Sequence, residues 1–269
     1  MTSAAVYIPF VRNAFLSMLA YRLRYYTGIL TYFVFVAVHY FIWSAVFAGR
    51  EPGAVINGFT LDEMITYVAV GWIARSMYFS DIDEEIDDIV RTGQIGVYLL
   101  RPVNFQHMML SQAFGGMLFR GLFFSLPVAI PILLFFPVAP PASVASFVLF
   151  LFSMLIAFLV FAEINFLVGL LAFKLKSING IVRAKYFLMQ LLSGLLLPLT
   201  FFPNAFRVVL EWLPFQAMSY LPLQFYLGKL SGPEIVEALA LQFGWILVLY
   251  LLGRYFLSRA LYFLTLQGG

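Results

Sequence analysis

The sequence predicts an all-α membrane protein of six transmembrane helices. Three observations carry that prediction. The chain is 63% hydrophobic and only 11% charged, well above the roughly 45–50% apolar content of a soluble domain. Residues 25–49 and 121–162 contain no Asp, Glu, Lys or Arg, and about 20 such residues cross a bilayer. No segment shows the ten-residue alternation of polarity that a barrel strand requires.

The order of elements follows from these runs. Segment 1–26 mixes Val11, Phe15, Met18 and Leu19 with Arg12, Arg22 and Arg24, as an amphipathic interfacial helix does, its arginines reaching toward phosphates. An ordinary positive flank is the alternative. No small-residue cleavage site follows a short apolar core, so no removable signal peptide is expected. Spans are placed at 27–47, 61–80, 109–136, 143–173, 186–202 and 237–257. Between the last two, segment 203–232 holds Pro203, Pro214 and Pro222 among Trp212, Tyr220 and Tyr226. Proline at that density forbids a regular helix, and the segment is too apolar for an open loop. It reads as short broken helices on the outer side, with the aromatics at headgroup level.

Of 16 Lys and Arg residues, eleven flank one side of these spans, among them Arg12, Arg91, Arg101, Lys174, Lys185 and Arg254, and three, Arg50, Arg207 and Lys229, flank the other. The positive-inside rule then predicts that both termini of a multi-pass membrane protein are cytosolic. With no cysteine and two distant histidines, His39 and His107, neither a disulfide nor a protein-only zinc site is expected.

Six acids occupy eight positions at Asp81, Asp83, Glu84, Glu85, Asp87 and Asp88. Such a cluster belongs in water. Ile82, Ile86 and Ile89 recur at helical spacing, Ser80 and Asp83 match a capping box, Arg91 suits the helix C-terminus and Gly93 offers a stop. The element 81–91 is thus an amphipathic helix with an isoleucine ridge for one partner and carboxylates for another. A solvated charged face is the alternative. Since an isolated helix this short is marginal, docking is expected to hold it.

The stretch from Val90 to Pro102, VRTGQIGVYLLRP, resembles the segment after the second span in permease subunits of type-2 ABC exporters, in a bacterial subfamily whose substrates are mostly unassigned. The resemblance extends over residues 1–269 as a single permease domain. It implies that 81–91 is a coupling helix, with Asp83, Glu84, Glu85, Ile86, Asp87, Asp88 and Ile89 docking in a groove of a separate cytosolic ATPase. It also implies a second permease subunit, the same chain or a related one. The chain has no G-x-x-x-x-G-K-[ST] loop, and Gly228-Lys229 lacks its upstream glycine and following hydroxyl. ATP and Mg are therefore expected in the partner and no cofactor here. The remaining partners are membrane lipids, with no nucleic acid.

Two charges lie deep inside spans. Arg120 lies roughly 18 Å and Glu163 roughly 16 Å from the cytosolic face at 1.5 Å per residue, and each alone costs about 2.5–3.5 kcal/mol. An Arg120–Glu163 ion pair is expected, with Asn165 and His39 as neighbours. It either lines a substrate path or fixes the third span to the fourth. Arg75 is near enough to the span end to snorkel. Tyr32, Tyr40, Trp43, Phe201 and Phe202 offer cation-π surface to an amphipathic substrate. The competing function is a proton-coupled secondary transporter or channel using Glu163, which the absence of an internal repeat disfavours. No nucleophile motif suggests an enzyme.

Overall fold

The computed structural model describes residues 4–175 and 177–263. Among them every regular element is helical, and a bridge between Ile56 and Phe59 closes a turn. The chain enters through a 3₁₀ turn, Ala4–Tyr7, into α1 (Ile8–Ala20) and continues as α2 (Leu23–Phe47), α3 (Leu61–Tyr78), α4 (Ile82–Arg91) and α5 (Ile95–Leu99). Next come α6 (Phe105–Arg120) and α7 (Leu126–Phe135), joined without a break by a π-helical stretch, Gly121–Ser125. Then follow α8 (Val144–Gly169), α9 (Asn179–Leu192), α10 (Asn204–Leu210), α11 (Tyr220–Tyr226) and α12 (Pro233–Ala260).

Local chemistry explains the helix starts. Thr60 and Glu63 form a reciprocal capping box on α3, with Thr60 N–H donating to Glu63 Oε2 at 2.9 Å. Asn104 Oδ1 accepts from His107 N–H at α6, and Ser143 Oγ accepts from Ser146 N–H at α8. Each satisfies a donor that the first turn leaves open. Pro127 and Pro131 lack N–H groups, and the π-helical stretch lies just ahead of them.

Among the described residues four stretches are long and apolar enough to cross a membrane: Tyr25–Phe47, Phe105–Phe135, Val144–Phe173 and Pro233–Ala260. The other two expected spans differ. Helix α3 has 18 residues and carries Asp62, Glu63 and Arg75, yet most of it is core. Helix α9 ends at Leu192, short of the 202 expected, because Gly194 turns left-handed at φ +84° and Pro198 follows. The fifth segment is therefore a helix, a bend and a 3₁₀ turn, Leu199–Phe201.

Segment 203–232 does form short helices, but it folds inward. Helix α11 packs on α8, and Tyr226 is buried with its hydroxyl donating to Ala139 O at 3.0 Å. Of the three aromatics expected at headgroup level, Trp212 is exposed and Tyr220 is half-buried. Broken helices free backbone carbonyls that hydrocarbon cannot satisfy. Protein donors do so here: Gln242 Nε2 reaches Ala217 O at 2.8 Å, Trp245 Nε1 reaches Trp212 O at 3.0 Å, and Tyr220 N–H reaches Ser193 O at 3.0 Å.

The core runs along α3 and α8, flanked by α6, α11 and α12, while α2 leans on α3 and α7 with an outer face of Leu30, Val34, Val38 and Phe41. Helix α1, the expected interfacial segment, lies along α6 with Arg12 and Arg22 exposed. The approach is close at Gly115, where a Cβ would stand 2.2 Å from the Val11 carbonyl oxygen. Small residues permit such contact between membrane helices. Gly115→Ala should therefore lower the thermal midpoint of the purified protein, at a cost of about 1–3 kcal/mol. Gly244→Ala, on α12 in open space, should not lower it.

Candidate functional site

Helix α4 begins one residue later than the capping box predicts. Asp81 occupies the cap position without a side-chain cap bond, and Ser80 Oγ is buried without a partner. The reason lies on α8, where Asn165 Nδ2 donates to the Ser80 carbonyl and so draws that residue into the bundle. Gly93, at φ +75°, follows the last turn as expected.

The helix is two-faced, but its faces divide differently from the sequence reading. Ile82, Ile86 and Ile89 are buried, with Ile86 set against Gly169 of α8, where a Cβ would be 2.8 Å from Ile86 Cδ1. Asp83 lies three positions before Ile86 and four before Asp87, so the two acids border the isoleucine stripe, and both are buried. Of the seven residues assigned to docking, Asp83, Ile86, Asp87 and Ile89 therefore face the bundle. Glu84 and Asp88 are exposed. Asp88 pairs with Arg91 at 2.7 Å, a surface contact of small energetic weight.

Asp83 has no exposed surface, and its partner is Lys185 of α9, whose ammonium contacts Asp83 Oδ2 and donates to Asn165 Oδ1 at 2.6 Å. Burial pushes the Asp83 carboxyl above the ordinary carboxylate range, and Lys185 pulls against it. Glu84 is raised by burial and by Asp83 and Asp81. Glu85, half-buried, lines a cavity of about 330 Å³ with Ser17, Asp81, Gln112 and Arg120. Desolvation, with Asp81 nearby, raises its carboxyl to about 7.

The expected Arg120–Glu163 pair does not form. Arg120 Nη1 donates to the Phe79 carbonyl, and Nη2 lies 3.6 Å from Asp81 Oδ2. Glu163 accepts from Gln106 Nε2 at 2.8 Å, and Gln106 also reaches Tyr250 O at 3.2 Å. Glu163 thus faces the first turn of α6, while Arg120 ends that helix roughly 21 Å away at 1.5 Å per residue. Matching depths by residue count takes the two helices as parallel with level ends, and the contacts show they are not.

Neighbours of the expected pair are also reassigned. Asn165 serves Ser80 and Lys185, and His39 Nδ1 is 2.8 Å from the carbonyl of Phe35 on its own helix. Arg75 does not snorkel. It is 5% exposed and lies over the rings of Phe79 at 4.6 Å and Phe161 at 4.9 Å. Trp43 and Phe201 meet edge to face at 5.0 Å, whereas Tyr32 packs on Trp72 and Phe124. The residue that sequence reasoning missed is Lys185, counted there only as one of many basic flanking residues.

Two outcomes follow. A carboxyl held near 7 when folded and near its ordinary value of about 4.3 when unfolded binds a proton more tightly in the fold. Its stabilising effect is complete below about 4.3 and lost as pH rises through 7. The thermal midpoint of the wild type should thus fall more between pH 5 and pH 8 than that of Glu85→Gln. In double-mutant cycles of thermal stability, Arg120→Gln and Glu163→Gln should add within about 0.5 kcal/mol. Gln106→Leu with Glu163→Gln should couple by more than that.

Comparison with curated proteins gives no match. The sequence description of the ABC-2 family transporter protein matches residues 33–268, from α2 to beyond the described end of α12. A multi-pass helical membrane chain with that match over most of its length belongs to the ABC-2 transporter family, as the permease component of an ABC transporter.

Proposed function

We propose that this permease is the transmembrane subunit of an exporter that moves an amphipathic or lipid-like substrate out of the cytosol. A separate ATPase drives it by docking on α4. The observation that carries the reading is the division of α4 into a face locked on the bundle and a face left free. Ile82, Ile86, Ile89 and the Asp83–Lys185 contact fasten the helix to α8 and α9, so it moves with them as one body. Glu84 and Asp88 point away and give a basic groove two carboxylates to hold.

The six crossings are then α2, α3, α6 with α7, α8, the broken segment led by α9, and α12. Basic residues such as Arg12, Arg91, Arg101, Lys174 and Arg254 put α4 and both termini on the cytosolic side of the inner membrane. Two permeases, identical or related, stand on two ATPases that bind ATP with Mg. Closure of the ATPases pushes α4, and the permeases exchange inward for outward access.

The test uses the revised docking face. Glu84→Lys with Asp88→Lys should abolish co-purification with the ATPase while leaving membrane insertion and the thermal midpoint within a few degrees of wild type. Glu51→Lys with Glu234→Lys, on the opposite side, should leave co-purification intact. Undiminished capture by the α4 variant would refute docking through this helix.

A further inference from the structure

Helix α3 sets Trp72, Arg75 and Ser76 at spacings of three and four, so their side chains share a face, and Phe79 follows at its C-cap. That face borders a cavity of about 380 Å³ between α2, α3, α9 and the π-helical stretch. Its other walls include Tyr32 and Phe35 of α2 and Phe124, with Arg120 at one end. Two guanidinium groups and no carboxylate border it among the described residues.

The bonding needs of this wall are unmet in one direction only. Arg75 Nη1 and Trp72 Nε1 are both buried without a hydrogen-bond partner. Both are donors with no capacity to accept, so what they lack is an acceptor. Arg75 forms no ion pair among the described residues, and the rings of Tyr78, Phe79 and Phe161 surround it instead. Arg120, over the same Phe79 ring at 4.8 Å, is already answered by the Phe79 carbonyl and Asp81. The unanswered charge is Arg75.

A buried guanidinium without an anion is costly, and the cost falls when a ligand supplies one. The ligand that fits presents several acceptor oxygens and a negative charge, because the arginine fork matches phosphate and carboxylate. It also carries apolar length, since the rest of the wall is aromatic and Phe35 lies on the exposed outer face of α2.

We infer that this cavity binds an anionic amphipath, its phosphate or carboxylate head on Arg75 and Trp72 and its hydrocarbon against Tyr32, Phe35 and Phe124. The inference deepens the export reading and rests on it only for the direction in which the ligand travels. Membrane lipids and water-soluble fatty anions share this chemistry. A free inorganic anion lacks the chain.

The experiment uses the purified permease alone in maltoside micelles, titrated with radiolabelled dodecyl phosphate. Saturable binding is expected. Unlabelled dodecyl phosphate and a phosphatidic acid should displace it, the second more tightly if the natural ligand is a lipid and less tightly if it is a single-chain anion. Inorganic phosphate and dodecyltrimethylammonium at equal concentration should not. Arg75→Gln should weaken binding at least ten-fold, Arg75→Lys less, because the charge survives without the fork. Arg207→Gln, on the far side of the chain, should leave it unchanged. Should Arg75→Gln fail to fold, Trp72→Phe, which removes the donor and keeps a ring, should still weaken binding several-fold. Unsaturable binding, equal displacement by inorganic phosphate or by the cationic detergent, or undiminished binding in the folded Arg75 variants would overturn the inference. No ATPase is present, so these results bear on the cavity alone, whereas loss or survival of co-purification bears on α4.

Discussion

The contact between Asp83 and Lys185 fixes how α4 sits on the bundle of this permease. A ten-residue helix is marginal by itself, and α4 persists because one of its faces is folded into the protein. The isoleucine stripe supplies apolar burial, and the ion pair with Asn165 supplies register. Buried pairs add little net stability against an apolar replacement, but removing one partner strands a charge at a cost of about 3–5 kcal/mol. Such a contact penalises every docking of α4 except the one that closes it.

Glycine repeatedly accompanies these buried polar groups. Gly169 lets α4 approach α8 beside Asp83, and Gly253 lets α12 approach where Gln106 meets Glu163, a Cβ there being 2.5 Å from Gln106 Nε2. Between membrane helices the lipid is as apolar as leucine, so close packing and interhelical hydrogen bonds drive association. Each glycine admits a polar pair by removing the side chain that would hold the helices apart.

The long charge-free runs made α2, α6 with α7, α8 and α12 legible in the sequence, and the proline cluster made the broken helices of segment 203–232 legible. A helix at α3 was legible, although its charges set it apart from the four long apolar stretches; Glu63 caps it and meets Lys229 at 2.8 Å, while Arg75 rests on rings. The end of α9 was not legible. A left-handed glycine at 194 is indistinguishable, in sequence, from the many glycines that helices tolerate. Periodicity gave the isoleucine stripe of α4 but not the inward turn of Asp83, whose partner stands 102 positions away among other basic residues that look the same. The Arg120–Glu163 pairing failed for a different reason: residue counting measures distance along each helix and carries no information on how the helices are offset.

The proposed docking helix and the proposed anion cavity meet at three residues. Phe79 places its ring beside both Arg75 and Arg120 and its carbonyl on Arg120, Ser80 is held by Asn165, and Asp81 stands at the cap position of α4 and faces Arg120. Segment 79–81 is the covalent link from α3 to α4, so a force that displaces α4 acts first on these contacts. An anion on Arg75 competes with the ring of Phe79 for the same guanidinium, and a partner on α4 shifts the backbone that carries the ring. If the two events favour different positions of Phe79, linkage makes each change the affinity of the other by an equal factor. The route from docking face to cavity then runs through this single turn of chain, which is carried along as α4 moves with α8 and α9.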